Sequence, residues 1–246
     1  VDGLIAHKET LQNALDDIVF SEEALEKAEK ERDKALALTL KEAGRLSELR
    51  KKAAAVLSNR VMEELRGLEM QKVRFKVEFD ETEGKRLTAT GADRPAFYLA
   101  ANLGEALKPL SKTASGGELA RIMLAMKVVL SESDTVGTVI FDEVDAGVSG
   151  RAAQAVAEKM AKVAAGRQVL CVSHLPQIAA MADTHFRIEK REHGGRTVTH
   201  VAALDADGRA EEIARIIGGA AVTETTFKHA SEMILSADRY KKEQRK

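Results

Sequence analysis

The chain has 246 residues, 31% of them charged, only 4% aromatic and none of them Trp. Its net charge of −1 excludes a global electrostatic attraction to nucleic acid, and no apolar run reaches the roughly 18–20 residues of a membrane span. High charge with few aromatics suits a chain that carries a long exposed helix beside one modest core.

Residues 1 to about 68 contain no proline and few glycines. Leu4, Leu11, Ile18 and Leu25 recur every seven residues with Leu15 between, and Leu46, Leu49, Ala53 and Val56 step by three and four. These are seam positions of a coiled coil. Arg32 falls out of phase and Gly44 interrupts, so a stutter or a break is expected near residues 32–44. A lone helix of this kind cannot bury its own stripe and needs a partner helix, unless it belongs to a globular bundle.

At residue 71 the period changes. Val73, Phe75, Val77 and Phe79 alternate with Lys72, Arg74, Lys76 and Glu78, which predicts a strand. Lys72, Arg74 and Lys76 share a face that reads as a solvated edge or a DNA contact. A turn over Glu81–Gly84, a second strand near Arg86–Thr90 and a short apolar strand over Phe97–Ala101 are expected next. From Ser115 the pattern alternates in the α/β manner: a helix to Leu130, a strand over Thr138–Asp142, a helix over Ser149–Ala165, a strand over Gln168–Ser173 and a short helix over Pro176–Ala182. A hairpin follows, with strands near His185–Lys190 and Thr197–Ala203 joined at Gly194-Gly195, and helices near Ala210–Ile217 and Glu224–Leu235 close the chain. This order implies a largely parallel core sheet with the hairpin at one side. The last nine residues carry five basic and two acidic side chains and read as a frayed, solvated tail or a DNA contact. The single Cys171, inside Val169-Leu170-Cys171-Val172, reads as a small core residue and fits a reducing compartment. No signal peptide is evident, and a chain that begins with Val rather than Met reads as a fragment or a processed product.

Three segments carry chemistry. Ser115-Gly116-Gly117-Glu118 opens an apolar helix, with Ser115 as N-cap and Glu118 as its capping-box partner. A capped helix without a ligand satisfies that pattern, but two glycines let backbone amides approach an anion at the positive end of the helix. Thr138–Phe141 delivers Asp142 and Glu143 to a strand end, where open α/β sheets bind ligands. The pair reads either as an ordinary strand-ending pair of acids or as one ligand for Mg²⁺ and one acceptor of a water proton. His174 lies just past the next strand, on the same sheet edge, and is either structural or able to donate a hydrogen bond to a phosphate oxygen. Together the segments suggest a nucleotide triphosphatase, yet the chain has no G-x-x-x-x-G-K-[ST] loop. Neither a zinc site nor a nucleophile elbow is written in it.

In this order the segments resemble the signature motif, Walker B strand with D-loop, and switch histidine of the ABC-type ATPases, and the helical arm narrows the resemblance to their SMC-like branch. The strings Pro109–Arg121, Ile140–Gly150, Val172–Ala179 and Ile216–Gly219 are similar to those of the RecN family of bacterial DNA repair ATPases, and residues 97–235 carry the likeness. The resemblance implies an α/β fold, the C-terminal lobe of an ABC-type P-loop ATPase head (residues 71–246) with a long N-terminal coiled-coil arm (residues 1–70) forming the returning half of an antiparallel hairpin. It implies ATP and Mg²⁺ as cofactors. Ser115, Gly116 and Gly117 would contact the γ-phosphate of ATP held by a second head, with Glu118 supporting the turn. Asp142 would hold Mg²⁺ and Glu143 would be the general base. Asp145 through Gly150 would form the D-loop at the head–head interface, and His174 would sense the γ-phosphate. The implied partners are the N-terminal P-loop lobe, a second copy, possible contacts at the arm tip, and DNA; the implied setting is the bacterial cytoplasm at the nucleoid, with no membrane. Ala120 departs from the family, where Ser is common. Another SMC-like ATPase of chromosome organisation, or a coiled-coil scaffold without turnover, are the competing readings.

Overall fold

A 66-residue helix, α1 (Asp2–Gly67), opens the computed structural model, which describes residues 2–81, 87–112, 116–131, 133–193, 196–219 and 221–244. α1 runs through residues 32–44 without the expected break, and Gly44 has open space where a Cβ would be, so nothing packs there to require it. The chain falls into two compact units, Val1–Ala54 with Glu78–Ala96, and Ala55–Val77 with Phe97–Lys246.

In the first unit Leu4, Leu11, Leu15, Leu25, Leu46 and Leu49 are exposed, so the apolar stripe lies open. Arg50 pairs with Asp93 at 2.5 Å. Among the described residues 87–90, the second strand expected near Arg86–Thr90 is absent. Its described part ends in a tight turn in which Thr88 and Gly91 exchange backbone hydrogen bonds of 3.0 and 3.1 Å, with Gly91 at φ 107°. The turn expected over Glu81–Gly84 falls largely outside the described residues.

In the second unit α1 ends in a Schellman-type cap: the Met70 amide donates to Leu65 O at 3.0 Å and the Glu69 amide to Arg66 O at 3.1 Å. Glu69 holds the left-handed position, φ 59°, that glycine usually fills. The cap turns the chain into β1 (Arg74–Glu81), whose Phe75 and Val77 are buried, with Val73 just before it, as the period-two pattern requires. β1 is followed by β2 (Asp93–Ala100) and β3 (Lys108–Pro109), in the order β1-β2-β3. β2 starts four residues before the expected Phe97, because its first half is polar and carries Pro95, which conceals a strand from a hydrophobicity pattern.

The α/β part follows the expected order: α2 (Gly116–Val129), β4 (Thr138–Phe141), α3 (Gly150–Ala164), β5 (Gln168–Cys171) and α4 (Pro176–Met181). Then come β6 (Phe186–His193), β7 (Arg196–Ala203), α5 (Ala206–Gly218) and α6 (Glu224–Gln244). Among the described residues the parallel sheet is a single pair, β4 with β5 in register Thr138↔Gln168 to Phe141↔Cys171, and the β6–β7 hairpin is a separate antiparallel sheet. Its Gly194-Gly195 turn lies outside the described residues. α3 packs against β5 and α2 against α3, while Ile140 (68% exposed), Leu170 and Val172 lie bare. α4, α5 and α6 share a second core of Ala179, Ala180, Ile213, Ala214 and Ala230.

Two helix boundaries shift as well. α5 starts four residues early because the Asp205 side chain caps it, accepting from the Gly208 amide at 2.8 Å. α6 continues to Gln244, so most of the expected frayed tail is helix: Lys241 pairs with Asp183 at 2.8 Å and with Asp238 at 3.2 Å.

Three elements meet at Asp134. Lys127 near the end of α2 reaches its carboxylate at 2.5 Å, Arg167 before β5 reaches it at 2.9 Å, and the Val136 amide donates at 3.1 Å. The Lys127 hydrogen bond, seconded by the Val136 amide and Arg167, pulls the Asp134 carboxyl down to about 2 from 3.8. A carboxyl whose folded pKa is depressed adds stability that is present above its unfolded pKa and lost as pH falls through the folded one. In denaturant titrations the wild-type chain should therefore lose stability between about pH 4 and pH 2, and Asp134→Asn should be less stable at pH 7 with a flatter decline over that window; an equal decline in the variant would remove Asp134 from this role.

Candidate functional site

The site is built where α2 begins. Gly117 is buried, and a Cβ on it would lie 2.7 Å from Ala146 Cβ and 3.1 Å from the carbonyl oxygens of Ala146 and Glu143. Its backbone lies outside the left-handed region, so the missing side chain is what the position requires. On its neighbour Gly116 a Cβ would stand 2.5 Å from Glu143 Oε2. The two glycines thus bring the start of α2 onto the turn that follows β4, and the Glu143 carboxylate lies against that helix start, where partial positive charge favours it.

Glu143 sits at φ 55°, a left-handed conformation unusual for a residue with a side chain and worth about 1–3 kcal/mol of strain. A turn held by Ala146 N to Glu143 O (3.0 Å) and Val148 N to Asp145 O (3.3 Å) keeps it there. Arg121, one helical turn on from Gly117, is buried and donates through Nη1 to Ala146 O at 2.7 Å and Val144 O at 3.4 Å. Burial pulls its guanidinium below the usual range, against the opposing charge of Glu118. A charge that stays buried needs such partners.

Asp142 and Glu143 are both exposed at the C-terminal end of β4, whereas Asp145 is 4% exposed. Asp145 Oδ2 accepts from Ser173 Oγ at 2.6 Å and from the His174 amide at 3.0 Å, and His174 Nδ1 lies 3.2 Å away. Burial, seconded by the charges of Asp145 and Asp142, pushes the Cys171 thiol between these segments up to about 12, which leaves it protonated and unreactive.

Gly116, Gly117, Glu118, Glu143, Asp145 and His174 therefore stand in one connected group, with Asp142 at the neighbouring strand end. Ser115 lies outside the described residues. Asp145, expected to face another molecule, has its Oδ2 engaged within the chain. Two contributors went unread in the sequence, Arg121 and Ser173. Arg121 had a signal, a charge inside the apolar run Leu119–Leu124 and four residues after Gly117, which places both on one helix face. Among the described residues no cluster of three or more His, Cys, Asp or Glu is arranged to hold a metal ion, and no helix is long and apolar enough to cross a membrane.

The class is defined by this combination: an α/β lobe with a long helical arm, carrying a helix-start glycine turn, a strand-end acid pair and a histidine in the order of the SMC-like ABC-type ATPases. No protein-family model matches the chain. It is 47% identical over 237 residues to the DNA repair protein RecN of Halalkalibacterium halodurans, a match covering 95% of this chain and 42% of that protein. To RecN of Bacillus subtilis it is 42% identical over 254 residues, with 98% and 44% covered. The chain belongs to the RecN family and corresponds to the C-terminal part of those proteins, spanning less than half their length. Among solved structures it is similar to the Smc head domain with a coiled coil and joint from Pyrococcus yayanosii, at 18% identity, TM-score 0.48, and 67% of this chain against 29% of that one.

Removing the gap between α2 and the β4 turn should be costly. Gly117→Ala is expected to destabilise the chain by about 1–3 kcal/mol in chemical denaturation, because backbone oxygens cannot yield as a side chain can. Gly166→Ala, where a Cβ meets nothing, is the control expected to change stability far less; equal effects would show that the close approach is not a constraint.

Proposed function

We propose that this chain is the arm and C-terminal head lobe of an ATPase that hydrolyses ATP between two engaged heads and acts in DNA double-strand break repair and recombination. The observation that carries it is the approach of the α2 start to the turn after β4, which lays the Glu143 carboxylate against a helix N-terminus with Asp142 exposed at the same strand end. Phosphoryl transfer asks for positioning and charge neutralisation more than for covalent chemistry, and this group supplies both. The RecN sequence match supports the repair setting.

In this reading Ser115, Gly116 and Gly117 meet the γ-phosphate of a nucleotide carried by a second copy, and Glu118 supports the turn. Asp142, a single exposed carboxylate, fits a Mg²⁺ that keeps most of its ligands as water and phosphate oxygens, as this ion prefers. Bound there, the ion would neutralise phosphate charge. Glu143 takes the proton of the attacking water or orients it. Asp145 through Gly150 form the interface loop, and His174 stands at the γ-phosphate. The P-loop comes from an N-terminal lobe of the same protein. The bare face of the β4–β5 pair supports such a lobe, since parallel strands are ordinarily covered on both faces. The open stripe of α1 supports a second arm helix. The protein would work in the bacterial cytoplasm, at the nucleoid.

The test is ATP hydrolysis by this chain, by the whole protein and by its Glu143→Gln variant, with and without linear DNA. Silence of this chain alone and Mg²⁺-dependent turnover of the whole protein are expected, with turnover of Glu143→Gln lower by roughly 10²–10⁴-fold, the range for losing a general base. Turnover of the variant within a few-fold of wild type would remove Glu143 from that role. A folded, ATP-binding whole protein without turnover would sink the ATPase reading.

A further inference from the structure

Arg121 is buried on the inward side of α2, 7% exposed. Its Nη1 donates to Ala146 O at 2.7 Å and reaches Val144 O at 3.4 Å. Its Nε is buried too and meets no acceptor among the described residues. The carboxylate whose charge acts on it is Glu118, one turn earlier on the same helix, and not Glu143. A buried cation with a donor left over is a poor source of stability, since an apolar side chain of similar volume commonly serves as well or better. What an apolar side chain cannot do is hold carbonyl oxygens in place. The two oxygens that Arg121 holds belong to the residues on either side of Asp145, inside the turn that Glu143 begins and that Ala146 N closes onto Glu143 O at 3.0 Å. Gly117, one helical turn before Arg121, brings α2 onto the same turn, where a Cβ would lie 3.1 Å from both Ala146 O and Glu143 O.

We infer that Arg121 is a positioning residue for turnover: by holding the carbonyls of Val144 and Ala146 it makes the start of α2 and the turn after β4 one unit, and so sets where the Glu143 carboxylate stands. The inference rests on the ATPase reading above, in which Glu143 handles the attacking water. Arg121 touches neither nucleotide nor water in that reading and acts through the backbone. Glu143 stands at φ 55°, a conformation that a residue with a side chain keeps only under restraint. Without the guanidinium the turn is free to relax, and a displacement of about 1 Å at a reacting group can cost roughly 10²-fold in rate. The helix start that meets the nucleotide of a second copy would then move independently of the acid that serves the nucleotide of its own chain.

A double-mutant cycle in the whole protein tests this, with Arg121→Met, Arg121→Lys and Glu143→Gln. Met keeps an unbranched apolar stem and removes the donor, whereas Lys keeps one charged donor with a shorter reach. Single-turnover and steady-state ATP hydrolysis are measured beside nucleotide affinity. In Arg121→Met kcat should fall by about 10–10²-fold while the nucleotide Kd changes by less than about threefold, and Arg121→Lys should recover part of the loss. In the Glu143→Gln background Arg121→Met should lower turnover little further, because a residue that acts through Glu143 then has nothing left to position. Equal losses in both backgrounds would mark a general structural lesion and overturn the inference. So would wild-type turnover in Arg121→Met beside a crippled Glu143→Gln. Should Arg121→Met fail to fold, Arg121→Lys carries the same cycle. Failure of the ATPase reading looks different: the whole protein shows no turnover, or Glu143→Gln hydrolyses at the wild-type rate, and either result removes this inference with it.

Discussion

The organisation of the site depends on the absence of one Cβ. Gly117 lets the first turn of α2 rest on the backbone of residues 143–146, at distances that even an alanine would violate. Once the helix start is that close, Arg121 one turn later reaches the carbonyls of Val144 and Ala146 and fixes the same turn from inside. The two contacts reinforce each other. The glycine permits the approach, and the buried guanidinium, whose Nη1 would lose both carbonyl partners, makes departure from it costly.

That clamp accounts for the conformations it encloses. Glu143 is held in the left-handed region because Val144 beside it and Phe141 two residues before it are buried in the core and the turn is tied by its own backbone bonds. The strain aims its carboxylate at the start of α2 rather than away from it. Asp145, two residues on, is driven inward and becomes the tie to the segment after β5. A short stretch of sequence thus holds one acid at the strand end, one against the helix and one buried.

The α/β part was legible because its signals are local. Apolar periodicity marked α2 and α3, a run of branched residues marked β4, and the glycine turn and acid pair were read where they stand. The arm was legible as a helix for the same reason. Elements whose cause is not apolar periodicity were read less well. β2 begins in a polar stretch with a proline, α5 begins at a side-chain cap four residues before its apolar stripe, and the last turns of α6 carry charges held by ion pairs. The expected largely parallel core sheet is, among the described residues, a single pair, because alternation of strand and helix states that strands are parallel, not how many lie in one sheet.

By itself the sequence determined the element order, the helical arm, and the residue types gathered at the sheet edge, since these follow from spacing along the chain. It also determined the family, through long strings matched in order. Only the tertiary structure decided what those residues meet. The glycines proved to be a close-packing device as much as a helix start, Arg121 an internal clamp, and Asp145 a buried partner of Ser173 and His174. The reason is physical: helix and strand propensity act over a few residues, whereas close approach and hydrogen-bond pairing here join positions about 25–30 apart, and no local pattern records what a side chain will find on the other side of the contact.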